Sequence, residues 1–70
     1  MYTAYRSWYR YGRETDYVEL TVKDFSSADK AIEYAHRYAK GRRFCGVEVR
    51  DKKDELVYEI TSDMTVFDYR

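Results

Sequence analysis

The sequence predicts an α+β fold: one helix packed on one face of a single antiparallel sheet of four strands, in the order ββαββ. It does not decide whether the sheet has a fifth strand. Segments rich in aromatic and β-branched residues lie on both sides of a segment with helical periodicity. The connections are short, so each pair of strands is expected to be an antiparallel hairpin and the helix has one sheet face to cover. Seventy residues correspond to one domain, and we expect residues 1–70 to form it.

The first hairpin is predicted from residues 2–23. Residues 2–11 (YTAYRSWYRY) are rich in aromatics, which favour strands, residues 12–16 read as a loop, and residues 17–23 (YVELTVK) alternate cleanly. The first strand divides into Ala4, Arg6, Trp8 and Arg10 on one face and Thr3, Tyr5, Ser7, Tyr9 and Tyr11 on the other. The second divides into Val18, Leu20 and Val22 on one face and Tyr17, Glu19, Thr21 and Lys23 on the other.

The helix is the best-defined element of the sequence. Ser26 is predicted as its N-cap, with Asp29 three residues later as a variant of the capping box. Gly41 is placed to end the helix in a left-handed conformation. The helical spacing produces one narrow apolar stripe, formed by Ala28, Ala31, Ile32, Ala35 and Ala39.

A second hairpin is predicted from residues 43–50 (RFCGVEVR) and 56–61 (LVYEIT), joined through residues 51–55. The face expected against the helix contains Cys45, Val47, Val49, Leu56, Tyr58 and Ile60. The opposite face is expected to show Phe44, Glu48, Arg50, Val57, Glu59 and Thr61. Residues 62–70 either add a short edge strand through Val66 and Phe67 or stay irregular, and the sequence leaves both readings open.

Charge and cysteine content narrow the function classes. The net charge is zero, from 13 basic and 13 acidic residues, whereas proteins that bind nucleic acid or membrane surfaces strongly show a positive excess. A single cysteine excludes an intramolecular disulfide, which favours a reduced, cytoplasmic setting. No apolar run approaches the roughly 20 residues that span a bilayer, and the N-terminus lacks the order of a signal peptide, so no membrane association is expected.

The residues give no pattern of catalysis, and we expect neither an enzyme nor a cofactor. Zinc needs about four Cys or His ligands, and the chain has only Cys45 and His36. Cys45 is expected in the core and His36 on the polar side of the helix, so they are not expected to pair as nucleophile and base. The acidic residues of the predicted turn at 51–55 lack the spacing of a calcium loop.

The strongest functional signal is the N-terminal strand, where arginines are interleaved with aromatic rings. One strand cannot bury both of its faces under a single helix, so some of these side chains must be exposed. Tyr, Trp and Arg are enriched in the hot spots of protein interfaces, and the same composition suits the stacking of single-stranded nucleic acid, while core packing is the plainest reading. The candidate partner-binding residues are Tyr5, Arg6, Trp8, Tyr9, Arg10, Tyr11 and Arg13.

A basic cluster around the end of the helix is the second candidate surface. It could contact phosphates or an acidic protein patch, and the plainer reading is that it complements the helix dipole. Its members are His36, Arg37, Lys40, Arg42 and Arg43.

The layout resembles that of small phage-encoded inhibitors, including anti-CRISPR proteins. The residues that carry this resemblance are a strand ending in an acidic turn, the alanine-rich helix segment FSSADKAIEYAHRYAKG, and the strand pair GVEVRDKKDELVYEI. The resemblance covers residues 17–61 at the level of pattern. It implies a single domain without catalytic residues that occludes a site on a larger protein or ribonucleoprotein, and it carries over no functional residue.

Three functions follow as hypotheses. The first is a small binding protein that acts by protein–protein contact, as an inhibitor of a larger host complex. The second is a module for single-stranded nucleic acid that uses the N-terminal strand together with Arg37, Lys40, Arg42 and Arg43 of the basic cluster. The third is a homodimeric structural or adaptor protein that pairs edge strands or buries its tyrosine face against itself.

Overall fold

The structure is a computed structural model, and it describes residues 1–11 and 17–70. The described elements are β1 (Tyr2–Tyr9), β2 (Val18–Phe25), α1 (Ala28–Tyr38), β3 (Phe44–Arg50), β4 (Leu56–Ile60) and β5 (Val66–Asp68). The strands form one sheet in the order β2-β1-β3-β4-β5, and every neighbouring pair is antiparallel. The predicted α+β class is confirmed, and the tail resolves into a fifth strand at the sheet edge. The loop predicted over residues 12–16 lies outside the described residues.

The core lies between α1 and the middle of the sheet. Ala31 and Ala35 of the helix are fully buried, as the apolar stripe predicted, and they join a cluster with Ala4 of β1. Small side chains on both layers let the helix lie close to the sheet, and the larger buried groups come from β3 and β4. The complete buried cluster is Ala4, Ala31, Ala35, Phe44, Val47, Val49, Tyr58 and Ile60.

The helix begins one residue later than predicted. Ser27, not Ser26, is the N-cap, because its hydroxyl accepts the backbone N–H of Lys30 at 3.2 Å. The capping box predicted from Ser26 and Asp29 is therefore wrong, although Asp29 stays in the first turn, where its charge suits the helix dipole. Gly41 has the positive φ that the sequence predicted, at +93°, but it does not end the helix, because α1 already ends at Tyr38 with Ala39 as its C-cap.

A β-bulge in β3 overturns one predicted face. Ser7 pairs with Gly46 but the next residue, Trp8, pairs with Phe44, so Cys45 is an extra residue without a partner on β1. The extra residue shifts the alternation, and Phe44 is buried on the helix side at 2% exposure instead of facing away. Cys45, predicted in the core, is half-buried at the bulge. Val47, Val49, Tyr58 and Ile60 lie against the helix as predicted.

The turns that join β3 to β4 and β4 to β5 have the same construction. In the first, Asp51 and Glu55 close the loop and residue 54 has a positive φ; in the second, Thr61 and Thr65 close it and residue 64 has a positive φ. Each is a three-residue hairpin loop whose last residue is left-handed, a common connection between antiparallel strands. An aspartate in each turn accepts backbone N–H groups.

Hydrogen bonds from neighbouring threonines hold the second of these turns. The Thr61 hydroxyl and the Thr65 side chain and backbone N–H lower the pKa of Asp63 from 3.8 to about 2, because they stabilise its charged form. Nearby, the pKa of Asp68 is lowered by hydrogen bonds from Arg70. Arg70 also reaches Asp29 at 3.4 Å, which ties the C-terminal end of the chain to the first turn of α1.

Candidate protein-binding face

The side of the sheet opposite α1, called here the open face, follows from the register. Ala4 and Val49 are partners buried under the helix, so their neighbours Tyr5 and Glu48, which are also partners, lie on the other side. The same alternation extends across all five strands. The open face contains Tyr5, Ser7 and Tyr9 of β1, Val18, Leu20 and Val22 of β2, Gly46 and Glu48 of β3, Glu59 of β4 and Phe67 of β5.

Strand β2 is apolar on the face that the helix does not cover. Val18, Leu20 and Val22 lie on the open face and are 51%, 61% and 54% exposed. The residues of β2 that share the helix side are Glu19, Thr21, Lys23 and Phe25, of which only the last packs against the core. A sheet normally turns its apolar row toward the core, and β2 has the opposite arrangement.

A shallow groove crosses the open face where two small residues meet. Ser7 and Gly46 are partners on β1 and β3, and the Ser7 hydroxyl donates to the Gly46 carbonyl at 3.2 Å. The groove has a volume of about 420 Å³. Tyr5 and Leu20 line one side, and the strands β3 and β4 supply the other. A methyl group on Gly46 would meet only ordinary contacts, the nearest being the Ile60 carbonyl at 3.5 Å.

Two acidic residues stand side by side in the middle of the open face. Glu48 and Glu59 are direct partners on β3 and β4, and both are half-buried and line the groove. Arg50 lies 3.3 Å from Glu48 and neutralises part of its charge. Like charges directly opposite each other destabilise a sheet, so this pair is a cost to the fold. The groove therefore has an apolar side toward β2 and an acidic side toward β4.

The predicted partner-binding residues of the N-terminal strand divide between the two faces. Tyr5 and Tyr9 lie on the open face. Arg6 and Trp8 lie on the helix side, where Arg6 stacks on the Tyr38 ring at 4.4 Å and the Trp8 indole N–H donates to the Thr21 hydroxyl.

The end of β1 holds the remaining members of that set. Arg10 is exposed and pairs with Glu19 at 3.4 Å. Tyr11 is exposed and contacts the Tyr17 ring edge-on, with centroids 5.9 Å apart. Arg13 lies outside the described residues. The structure therefore does not bring the predicted set together as one surface.

The predicted basic cluster is also divided. His36 turns toward the sheet, with Nε2 at 2.6 Å from the hydroxyl of the buried Tyr58. Arg37 pairs along the helix with Glu33 at 3.3 Å. Lys40, Arg42 and Arg43 are exposed beyond the helix, and the Arg43 carbonyl accepts the Tyr9 backbone N–H. The cluster surrounds the end of α1, and its last member, Arg43, lies beside Tyr9 at the end of β1.

Within residues 1–11 and 17–70, no three His, Cys, Asp or Glu side chains converge in a way that could hold a metal ion. In the same part of the chain, no helix has the length and apolar character required for a membrane span.

Cys45 and His36 lie on opposite sides of the sheet. The His36 ring contacts Tyr58 on the helix side, whereas Cys45 lines the groove on the open face.

Sequence reasoning missed the residues that give the open face its character. The alternation of β2 was evident, but it did not show which row faces the helix, because that depends on where α1 sits over the sheet. A glycine inside a strand pattern is a signal of a bulge, and Gly46 was that signal for the shifted register of β3. The missed residues are Ser7, Val18, Leu20, Val22, Gly46, Glu48 and Glu59.

No protein-family model matches this chain, and the comparisons with curated proteins and with solved structures found no significant similarity.

Proposed function

We propose that this chain is a non-catalytic binding protein that docks its open face on a larger protein partner. The observation that carries the proposal is the reversed polarity of β2, which leaves Val18, Leu20 and Val22 more than half exposed. An exposed row of adjacent apolar side chains marks an interaction site far more often than single exposed residues do. Tyr5 and Tyr9 of the neighbouring strand extend the row with rings that favour interfaces.

The groove indicates the chemistry of the partner. Its apolar side toward Leu20 fits an aliphatic or aromatic side chain, and its acidic side at Glu48 and Glu59 fits a Lys or Arg. A partner surface with a basic residue beside an apolar one would fill the groove and neutralise the repulsion between the two carboxylates. We therefore propose a partner surface that combines positive charge with apolar contact.

A specific complex needs only a modest share of the surface of this chain. A standard interface takes about 800 Å² from each partner. That is about a sixth of the 4903 Å² of accessible surface of this chain. A rigid sheet face that covers this area acts by occluding what it covers, so inhibition by occlusion is the mode of action that we propose.

A charge introduced into the apolar row tests the proposal. Leu20→Glu places a carboxylate in the middle of the row, where the side chain is exposed. Met64→Glu is the matched control, because Met64 is also apolar and exposed but lies in the turn between β4 and β5. Immobilised wild type and both variants are incubated with an extract of the native host, and the protein captured by wild type is purified and titrated against all three.

We expect the captured protein to bind wild type and Met64→Glu equally and to bind Leu20→Glu at least roughly tenfold more weakly. Added salt should measurably weaken the binding of the captured protein to the wild type, because the partner is expected to contribute positive charge and salt screens its attraction to the acidic groove. Equal binding of Leu20→Glu, or weaker binding of Met64→Glu alone, would contradict the use of the open face.

The composition of the open face favours a protein partner over single-stranded nucleic acid. The half-buried rings of Tyr5 and Tyr9 share their face with Glu48 and Glu59, whose charge repels phosphates. Of the arginines that interleave with these rings in the sequence, Arg6 and Arg10 lie on the helix side of the sheet.

A further inference from the structure

The outer edge of β2 carries backbone groups directed away from the sheet. Arg10 donates its backbone N–H to the Tyr17 carbonyl at 3.0 Å, in the register that continues along β1 and β2. In an antiparallel pair the residues alternate between bonding toward the partner and pointing away from it. The odd-numbered residues of β2 therefore bond to β1, and Val18, Leu20, Val22 and Asp24 direct their N–H and C=O groups outward.

This edge lacks two of the features that usually prevent strands from pairing between molecules, a proline and a bulge, although it carries the charged residues Glu19, Lys23 and Asp24. The strand is eight residues long, contains no proline, and pairs with β1 without a register shift. In the described part of the chain no strand lies beyond it. The opposite edge, β5, is only three residues long. Long, regular and apolar edges are the ones that add a further strand.

The sequence of β2 is complementary to itself when two copies run antiparallel with Thr21 at the centre. In that register Glu19 of one copy lies opposite Lys23 of the other, and this happens twice because of the two-fold symmetry. Leu20 lies opposite Val22 on the open face. The outward-pointing residues then form the hydrogen-bonded pairs, with Asp24 opposite Val18, and Glu19 and Lys23 form the closer pairs, where side chains interact most strongly.

We propose that the chain forms a homodimer in which the two β2 strands pair antiparallel about Thr21, giving a continuous ten-stranded sheet. A two-fold axis perpendicular to the sheet places both helices on one side and joins the two open faces on the other. Arg10 already contacts Glu19 at 3.4 Å, so the carboxylate of Glu19 would lie between Arg10 and Lys23 of the second copy. The proposal does not depend on the proposed function, because pairing uses the edge and leaves the open face accessible.

Charge reversal tests the pairing and its register. Glu19→Lys places two pairs of lysines opposite each other, and Lys23→Glu places two pairs of glutamates opposite each other. Each variant alone should dimerise on the order of tenfold more weakly than wild type in sedimentation equilibrium. When the two variants are mixed in equal amounts, every pair again joins opposite charges, and the mixed dimer should recover the wild-type affinity. The double variant should recover it as well.

A cysteine at the two-fold axis provides a second test. In a Cys45→Ala background, Thr21→Cys brings two thiols within the Cα separation that a disulfide accepts, since close antiparallel pairs lie about 4.5 Å apart. Lys23→Cys in the same background is the control, because residue 23 faces residue 19 of the second copy. We expect rapid oxidation to a covalent dimer for Thr21→Cys and slow oxidation for Lys23→Cys.

The outcomes separate this proposal from its alternatives. A wild type that stays monomeric at the highest soluble concentration overturns it. A dimer that Leu20→Glu abolishes, but that neither charge reversal weakens, points instead to two open faces stacked together. A dimer with equal crosslinking of both cysteine variants refutes the register centred on Thr21. None of these results bears on whether the open face binds a different protein, since that is measured with the captured partner.

Discussion

The imidazole Nε2 of His36 lies 2.6 Å from the hydroxyl of Tyr58 and joins the exposed side of the helix to the core. The Tyr58 side chain is only 6% exposed, so its hydroxyl depends on this contact for a partner at the boundary of the core. The two rings also meet edge-on, with centroids 5.6 Å apart. His36 therefore has a structural role in fixing α1 over β4.

We expect His36→Ala to lower the free energy of unfolding by about 1 kcal/mol, because it leaves a buried hydroxyl without its partner. Tyr58→Phe should cost less, since it removes the hydroxyl that needs a partner. In the Tyr58→Phe background, His36→Ala should have little further effect, and a double-mutant cycle by urea denaturation measures this coupling. Additive effects of the two substitutions would show that the contact contributes nothing.

Trp8 and Tyr9 are neighbours in β1 with opposite environments. Trp8 lies on the helix side, opposite the buried Phe44, and Tyr9 lies on the open face opposite Val18. Trp8→Ala should lower the free energy of unfolding by about 2 kcal/mol, because it removes a half-buried ring beside the core. Tyr9→Ala should change it by about 1 kcal/mol or less.

Thermal unfolding of the two alanine variants, combined with titration of the captured partner, separates packing from recognition. Tyr9→Ala should weaken binding of the partner and leave the protein folded, whereas Trp8→Ala should lower the free energy of unfolding. If Tyr9→Ala unfolds the protein, the ring belongs to the core and the open face loses one of its two tyrosines.

The sequence predicted correctly the features that depend on neighbouring residues, and it failed where a feature depends on residues that are distant along the chain. Val47, Val49, Tyr58 and Ile60 were placed correctly because the period of a strand is set by the backbone of that strand. Phe44 was misplaced because the bulge at Cys45 depends on pairing with β1, which is distant in sequence. Ser27 replaced Ser26 as the N-cap because two adjacent serines offer the same chemistry, and packing of the helix selects between them.

The candidate site was harder to predict than the fold for a similar reason. The sequence shows that β2 has an apolar row and a polar row, but not which of them α1 leaves uncovered. That is decided by the strand order, which puts β1 between β2 and β3 and centres the narrow helix over β1 and β3. The acidic pair of Glu48 and Glu59 likewise exists only once β3 and β4 are in register.

Acid should loosen the turn between β4 and β5. The pKa of Asp63 falls from 3.8 to about 2 on folding, so the unfolded chain binds a proton at a higher pH than the folded one. The stabilisation is fully present above about pH 4 and is lost as the pH falls through about 2. Asp63→Asn keeps an oxygen acceptor but has no group to titrate.

We therefore expect the difference in unfolding free energy between wild type and Asp63→Asn to be constant above about pH 4 and to shift against wild type below it. Chemical denaturation at a series of pH values measures this difference, and the side-chain carboxyl signal of Asp63 in NMR reports its midpoint directly. A difference that stays constant down to about pH 2 would show that the threonine hydrogen bonds do not hold the carboxylate.

The pair of Glu48 and Glu59 should make binding and stability respond in opposite directions. Two carboxylates placed directly opposite each other repel, and Arg50 forms an ion pair with Glu48. Glu59→Gln keeps the shape of the side chain and removes the repulsion, so it should raise the free energy of unfolding by about 0.5 kcal/mol. Because Glu59 also supplies the acidic side of the groove, the same substitution should weaken the binding of a basic partner and reduce the salt dependence of that binding.

Glu55→Gln is the control for both measurements. Glu55 is an exposed acid outside the groove, so its substitution should change neither the unfolding free energy nor the binding in this way. If Glu59→Gln destabilises the fold or leaves the salt dependence of binding unchanged, the acidic pair is not held in place for a basic partner.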